Sequence, residues 1–339
     1  MVKIGVGLIG AGAIGRLHAR HLVSRVPGAE LVAVADVARG AAEACAHECG
    51  VPRICEDYRE LVAEPAVEAV LIASPADQHG AQIEAAAEAG KHIFCEKPLE
   101  YDLGAADSAL AAVARAGVTL QIGFNRRFDV SFRQVRDGIA SGAIGRPYLL
   151  HIISRDPLLP PAPADRPPGW MFFDTTVHDF DMARWLLDDE ATEVRALAGA
   201  YVHGGNAAVD TALITLRLTG GALAAIDNSQ AAYGYDQRIE VLGPGGALAA
   251  ANELAHGVAL SDKGGVRAAG PRTFFAERYA ESYVAELAAF IDCVARGAEP
   301  PVTGHDGRAA VVLALAAQRS HEDGGRPVAV REIAGAEGG

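Results

Sequence analysis

The sequence has little of several features that would narrow its function. Its 339 residues include five cysteines but no CxxC pair, so neither a disulfide framework nor a cysteine zinc site is predicted. Thirty Lys and Arg stand against 43 Asp and Glu, and the net charge of −13 argues against nucleic acid or an anionic membrane as a partner. No apolar run is long enough to span a bilayer, and no secretory signal is apparent. We therefore expect a cytoplasmic protein with reduced thiols.

The first third of the chain alternates strand and helix patterns. Apolar runs that read as buried strands are separated by helical stretches, several of which end at a glycine. This βαβαβ order predicts a parallel sheet wrapped by helices. The length of the chain predicts two domains, and we place the first at residues 1–123. The strand-like runs are VKIGVGLIG, LVAVAD, AVLIASP, KHIFCEKP and TLQIGF.

The pattern changes near residue 124. Several strand-like segments follow one another, some joined by short TGG and GPGG turns, which predicts an open, mainly antiparallel sheet in an α+β domain over residues 124–339. A proline-rich loop at 156–169 precedes the segment DTTVHDFD. We expect the last helix to be able to pack back on the first domain. The flanking helices are predicted at 131–141, 175–187, 278–296 and 305–321.

A glycine-rich turn follows the first strand. Gly10, Gly12 and Gly15 form a GxGxxG motif that opens a helix, and Ala13 and Ile14 complete the turn. In this context the motif predicts a Rossmann dinucleotide-binding domain, because the glycines let a pyrophosphate approach the helix N-terminus.

Asp36 ends the second strand, at the position expected for the acid that binds the ribose hydroxyls of NAD. A carboxylate there repels the 2′-phosphate of NADP, although Arg39 could soften that preference. NAD is therefore the expected cofactor, with NADP the weaker alternative.

Polar residues also follow the third and fourth strands. Ligands in such sheets bind beyond the carboxyl ends of the strands. We therefore expect Ser74, Pro75 and His79 to contact the cofactor, although a plain helix role for His79 is an equal alternative. Glu96 and Lys97 end the fourth strand, and we expect both to contact the cofactor, with Lys97 beside the nicotinamide.

Asp174, His178 and Asp181 recur at i, i+4 and i+7, so a helix would place all three on one face. Such a face could bind a metal, transfer a proton or be exposed to water. The residues alone leave these alternatives open.

Four motifs together resemble the Gfo/Idh/MocA oxidoreductase family, and within it they look most like the inositol 2-dehydrogenases. The resemblance extends over nearly the whole chain and implies a nucleotide-binding domain followed by an α/β domain whose open sheet often makes tetramers or dimers. It implies that Lys97, Asp174 and His178 are the catalytic trio, with His178 as general base and no metal. The motifs are GAGAIG at 10–15, CEKPL at 95–99, GFNRRFD at 123–129 and DTTVHDFDMARWL at 174–186.

The resemblance also implies a substrate site. Arg126, Asp156 and Tyr235 match positions that contact substrate hydroxyls, and Asn125 lies beside them. Asn125 and Asp156 depart from the methionine and asparagine of the family pattern, which leaves the exact polyol open. The implied reaction is oxidation of myo-inositol to 2-inosose, with scyllo-inositol, another cyclitol or a pyranose sugar as alternatives.

Two rival functions come from other classes. A non-catalytic dinucleotide sensor would keep the glycine turn and could lose the proton-transfer residues. A metal-dependent lyase or hydrolase would use the Asp/His face and leave Asp36 without a role. The sequence favours the dehydrogenase because both the glycine turn and the trio are present. His18 and His21 are interpreted as ordinary helix residues.

Overall fold

The structure is a computed structural model. It describes residues 3–157, 169–202, 209–232 and 234–335. The proline-rich stretch 158–168, Tyr233 and the end of the tail lie outside the described residues. The chain forms two compact units, Met1–Phe128 with Glu281–Val311 and Asp129–Ala280 with Val312–Gly339. None of the described helices is long and apolar enough to cross a membrane.

The first unit contains a six-stranded parallel sheet with the order β3-β2-β1-β4-β5-β6. This is the strand order of a doubly wound dinucleotide-binding fold, and it confirms the predicted Rossmann domain. The order reverses between β1 and β4, so a crevice for ligands is expected beyond their carboxyl ends. The strands are Ile4–Ile9 (β1), Ala29–Ala35 (β2), Arg53–Cys55 (β3), Ala69–Ile72 (β4), His92–Cys95 (β5) and Leu120–Ile122 (β6). The helices are Ala13–Arg25 (α1), Arg39–Cys49 (α2), Tyr58–Val62 (α3), His79–Glu88 (α4) and Leu103–Ala116 (α5).

The second unit is built on a seven-stranded mixed sheet with the order β12-β11-β7-β10-β9-β8-β15. Its strands are Leu149–Pro157 (β7), Ala191–Gly199 (β8), Thr211–Leu218 (β9), Leu223–Ala232 (β10), Asp236–Gly243 (β11), Gly246–Ala250 (β12) and Val328–Ala329 (β15), and a separate hairpin pairs Ala259–Asp262 (β13) with Gly265–Ala268 (β14). The helices from residue 130 onward are Val130–Ala140 (α6), Trp170–Asp174 (α7), Thr176–Leu187 (α8), Phe275–Arg278 (α9), Ala280–Arg296 (α10), Gly304–Glu322 (α11) and Arg331–Ala334 (α12).

The predicted open sheet is confirmed, but it contains a parallel pair of strands that no short turn joins and that was not predicted. The short turns join antiparallel partners, β9 with β10 and β11 with β12. However, β7 pairs in parallel with β10, which follows it only after β8 and β9. A parallel pair needs a crossover, and α7 and α8 lie in the connection that leaves β7.

Side chains alternate along the second sheet. In β9 every second residue is buried and the others are partly or fully exposed, so one face of the sheet carries the core and the other is open. Helix α8 packs on β7 and β10.

The boundary between the units differs from the expected division at residue 123. The first unit extends to Phe128 and also includes Glu281–Val311, which the sequence pattern places in the second domain. The reason is apolar packing. Leu287, Phe290 and Ile291 on α10 belong to the core formed around β1, β2 and α1. The start of α11 lies in the first unit, while the rest of that helix belongs to the second.

A buried ion pair fixes the start of α11 in the first unit. Arg127 lies 2.9 Å from Asp306, and its guanidinium also donates to the Pro301 carbonyl at 3.2 Å. Burial alone would raise the pKa of Asp306. Arg127 and the hydrogen bonds from Thr303 outweigh burial and lower that pKa to about 2.

Candidate active site

In the glycine turn after β1, Gly10 and Gly15 are tightly packed against neighbouring backbone, whereas Gly12 borders open space. Gly10 has φ +93°, and a Cβ there would lie 2.6 Å from the backbone of Ala73. A Cβ on Gly15 would lie 1.9 Å from the carbonyl oxygen of Gly10. In contrast, a Cβ on Gly12 would meet no atom of the described residues within 4 Å. Gly10 and Gly15 are therefore required by the turn itself, while Gly12 keeps open the space beside the N-terminus of α1.

Asp36 follows β2 and accepts two backbone hydrogen bonds, one of them from the glycine turn. Its two carboxylate oxygens accept the N–H groups of Ala11 and Ala38, each at 2.7 Å. The side chain is partly exposed, and a carboxylate has further lone pairs for ribose hydroxyls. The nearby Arg39 pairs with Glu43 and Glu56 instead. The group expected to soften the preference for NAD is therefore held by other acids.

The loop after β4 is organised by His79. This side chain is only 1% exposed, and its ring nitrogens lie 2.8 Å from the Pro98 carbonyl and 3.0 Å from the Ser74 carbonyl. Burial lowers the pKa of His79, so the ring favours the neutral form, which donates to one carbonyl at a time. Ser74 is partly exposed and Pro75 is exposed. His79 therefore links the Ser74 loop to the Pro98 carbonyl, and its contact with the cofactor stays a prediction.

Lys97 lies just after β5. The Lys97–Pro98 peptide bond is cis. Lys97 is partly exposed between two buried residues, and its backbone N–H donates to Oε2 of Glu96 at 3.1 Å. The other oxygen of Glu96 accepts a hydrogen bond from Nε2 of His18 at 2.6 Å. His18 is fully buried, so it is not the ordinary helix residue that the sequence suggested.

The Asp/His segment of the second unit is divided between two helices. Helix α7 ends at Asp174 and α8 begins at Thr176. Asp174 therefore does not share one continuous helix face with His178 and Asp181. Asp174 and His178 are the partly exposed positions in a stretch, residues 171–183, that is otherwise buried. Asp181 is 1% exposed and belongs to the interior. The surface at this break therefore presents one carboxylate and one imidazole.

Two amides on β10 hold this break in place. Gln230 Nε2 donates to Oδ2 of Asp174 at 3.0 Å. Asn228 Nδ2 donates to Oδ2 of Asp179 at 2.8 Å, and Asn228 Oδ1 accepts from the Thr175 hydroxyl at 3.0 Å. The strand places both amides on its buried side, where Asn228 is fully buried and Gln230 is 6% exposed. One strand thus orients both carboxylates.

The residues expected to bind substrate fall in both units. Asn125 and Arg126 lie in a short 3₁₀ helix after β6 and are 2% and 5% exposed. The Asn125 Nδ2 atom is buried and has no hydrogen-bond partner among the residues described. Asp156 is partly exposed near the end of β7. Tyr235 is 6% exposed and packs edge-on against Tyr279.

Two family models match this chain. Residues 4–124 match the oxidoreductase family with an NAD-binding Rossmann fold, and residues 132–249 match the GFO/IDH/MocA C-terminal domain. The chain belongs to the Gfo/Idh/MocA oxidoreductase family. It is accordingly an NAD-dependent dehydrogenase of the class that acts on CH–OH groups.

Named relatives resemble this family member over almost its full length. It is 42% identical to the myo-inositol 2-dehydrogenase of Thermotoga maritima over 97% of this chain and 99% of that protein. It is 42% identical to the inositol 2-dehydrogenase of Rhizobium meliloti over 93% and 96% of the two chains. A crystal structure of myo-inositol dehydrogenase from Lactobacillus casei, in complex with NAD(H) and myo-inositol, superimposes with a TM-score of 0.89 at 30% identity and covers 97% of each chain.

The residues of this Gfo/Idh/MocA protein fit the cofactor. The open space at Gly12 and the first N–H groups of α1 suit a pyrophosphate, and the turn residues Ala13 and Ile14 are exposed and partly exposed beside it. Asp36 offers acceptors to the ribose.

Sequence reasoning missed the β10 amides. A signal for them was present, because Asn228 and Gln230 continue a buried row of the strand that begins with apolar Ala224 and Ile226. Polar residues at core positions of a strand mark a buried hydrogen-bonding network.

Proposed function

We propose that the protein oxidises one ring hydroxyl of a cyclic polyol to a ketone, with myo-inositol and 2-inosose as the substrate and product. The observation that carries the proposal is the pair Asp174 and His178, which are partly exposed at a helix break in an otherwise buried stretch. A family member that binds NAD needs a proton acceptor beside the carbinol, and these are the two groups that its second unit offers at this break. The inositol dehydrogenases named above support the choice of substrate.

In the proposed mechanism His178 removes the hydroxyl proton as the carbinol carbon loses hydride. Histidine suits this role because its ordinary pKa lies near the working pH. Bound NAD supplies the hydride acceptor at C4 of its nicotinamide. Lys97 donates a hydrogen bond to the substrate oxygen and stabilises the negative charge that develops there. Asp174, fixed by Gln230, accepts a hydrogen bond from substrate.

Four further residues are proposed to recognise the ring hydroxyls: Asn125, Arg126, Asp156 and Tyr235. The amide of Asn125 supports this role. A buried donor without a partner costs about 1–3 kcal/mol, and a substrate hydroxyl would remove that cost. Groups of this kind discriminate strongly between polyols because an absent or misplaced hydroxyl leaves them unpaired.

We also propose that the protein is a homotetramer or homodimer assembled through the open face of the second sheet. Leu197 on β8 and Leu213 on β9 form a cross-strand pair and are 56% and 61% exposed, so this face carries an exposed apolar pair. Light scattering should give the mass of an oligomer, and Leu213→Asp should shift it toward the monomer. A monomeric wild-type protein at micromolar concentration would refute this assembly.

The function is tested by following NADH formation with NAD⁺ and a panel of polyols, namely myo-inositol, scyllo-inositol, glucose, xylose and galactose, with a parallel series in NADP⁺. Strong activity with myo-inositol is expected. His178→Ala should lose activity, whereas the control His151→Ala, at an exposed position of β7, should keep it. Preference for another polyol would move the substrate and keep the mechanism. No activity across the panel, with NAD binding confirmed by calorimetry, would favour the sensor function.

A further inference from the structure

Three ionisable side chains meet in the interior of the first unit, behind the Lys97 loop. They are His18 on α1, Glu96 after β5 and Glu286 on α10, and they are 0%, 8% and 0% exposed. One nitrogen or oxygen atom from each lies within 4.8 Å of the others. A buried cluster of two carboxyl groups and an imidazole is costly unless protons or ions balance its charges.

The hydrogen-bond inventory of this cluster lacks a donor. Nε2 of His18 donates to Glu96, which leaves Nδ1 of His18 buried without a partner in the described part of the chain. Both carboxyl oxygens of Glu286 and the side-chain oxygen of Gln121 are also buried without partners there. If Glu286 were ionised and His18 neutral, every one of these atoms would be an acceptor. A proton on Glu286 converts one acceptor into the missing donor.

The surroundings of Glu286 also favour the neutral acid. Burial raises the pKa of Glu286 well above its usual range, and the Glu96 carboxylate raises it further. The rings of Phe94 and Tyr283 pack edge-on against the His18 ring, with centroids 5.4 and 5.6 Å from its own. His21, on the same helix as His18, has its pKa lowered to about 4, chiefly by burial, so it brings no compensating positive charge at neutral pH.

A bound metal ion fits the geometry less well than a proton. Zinc bonds of about 2.0–2.1 Å at a tetrahedral angle would separate two ligand atoms by about 3.3 Å. The nitrogen of His18 and the oxygen of Glu96 are 2.6 Å apart, which is the distance of a short, charge-assisted hydrogen bond.

We propose that Glu286 is held as a neutral carboxylic acid, which gives the cluster the hydrogen-bond donor that it otherwise lacks, and that the cluster of these three residues positions Lys97. Glu96 is fixed through one oxygen by His18, and its other oxygen accepts the backbone N–H of Lys97. The positioning role rests on the proposed function of Lys97, whereas the protonation of Glu286 does not.

Protonation is tested with Glu286→Gln and with Glu281→Gln as a matched control. Glu281 lies on the same helix but is exposed and paired with Arg25, and its pKa is lowered by that arginine. For an acid with a raised native pKa, the stabilising contribution is lost as pH rises above the unfolded pKa of about 4.3. The unfolding constant of the wild type, divided by that of Glu286→Gln, should therefore rise by up to about tenfold per pH unit from that value until the pH reaches the raised pKa of the folded state.

A ratio that stays constant or falls as pH rises would overturn the protonation of Glu286, and the control should show no such rise. An infrared difference spectrum between the wild type and Glu286→Gln at neutral pH should contain the carbonyl band of a neutral carboxylic acid. Stoichiometric metal in the wild type that is lost in Glu286→Gln would also overturn the proposal. Each measurement remains decisive even if no polyol is oxidised.

The positioning role is tested by comparing Glu286→Leu with Glu286→Gln. Leucine removes the donor, and we expect it to lower kcat by about tenfold or more with little change in the Kd for NAD, whereas the glutamine amide should restore kcat. Equal kcat values in the two variants would show that the cluster does not position Lys97.

Discussion

Substitution of Gly12 by alanine should separate cofactor binding from folding. The backbone of Gly12, with φ −69° and ψ −166°, is in the extended region that alanine also adopts, and the added Cβ would meet no atom of the described residues within 4 Å. Alanine also restricts the unfolded chain. The protein without cofactor should therefore gain about 0.4–1 kcal/mol, which raises Tm by about 1–4 °C.

Binding of NAD should change in the opposite direction. The methyl group would occupy the space where a pyrophosphate approaches the N-terminus of α1. Loss of one hydrogen bond to a charged phosphate costs about 1.5–3 kcal/mol, which corresponds to an increase in Kd of about 10- to 150-fold. Calorimetric titration with NAD and thermal unfolding without it measure the two effects separately.

Two other glycines provide controls for this experiment. Gly15→Ala places its Cβ 1.9 Å from the carbonyl oxygen of Gly10, so this variant should lose stability even without cofactor. Gly40→Ala, on α2, also meets no described atom within 4 Å and should gain stability while binding NAD normally. If Gly12→Ala bound NAD as tightly as Gly40→Ala does, the assignment of the glycine turn as the pyrophosphate site would be refuted.

Further predictions concern single side chains. Lys97→Ala should reduce turnover by about 100-fold or more while calorimetry shows unchanged NAD binding, and near-normal turnover would remove Lys97 from the mechanism. Asp36→Ala should weaken NAD more than NADP, and an equal loss would show that Asp36 does not read the 2′ position. Gln230→Leu removes a hydrogen bond to Asp174 and should lower kcat/KM by about tenfold, as steady-state kinetics would reveal. Asp306→Asn should cost about 2 kcal/mol of unfolding free energy at neutral pH, because the pKa of this acid falls from 3.8 to about 2 on folding. That loss should disappear as denaturation is measured from about pH 4 down to pH 2, and a loss independent of pH would contradict it.

The parts of the fold that the sequence predicted are those specified by local patterns. The buried strands of the first sheet are short apolar runs, and the turn at Gly10 requires a residue with positive φ. Lys97 and Asp36 could be placed because residues that directly follow a parallel strand are brought to its carboxyl end.

The features that could not be predicted depend on contacts between distant parts of the chain. The parallel pairing of β7 with β10 requires the crossover through α7 and α8, and no short turn between the two strands predicts it. The role of His18 cannot be predicted from the sequence of α1 because its partner Glu96 and its neighbour Glu286 come from other elements. The break at Thr175 depends on Asn228, which belongs to a strand far along the chain.

The order in which the chain is synthesised also matters, because α10 completes the core of the first unit. Leu287, Phe290 and Ile291 belong to that core, yet the ribosome makes them long after Phe128. At a synthesis rate of about 5–20 residues per second, roughly 8 to 30 s pass between synthesis of the nucleotide-binding sheet and synthesis of these apolar residues. During this interval its nascent surface is exposed to chaperones and proteases. A fragment that stops at residue 128 would keep the glycine turn but would lack the helix that closes the core.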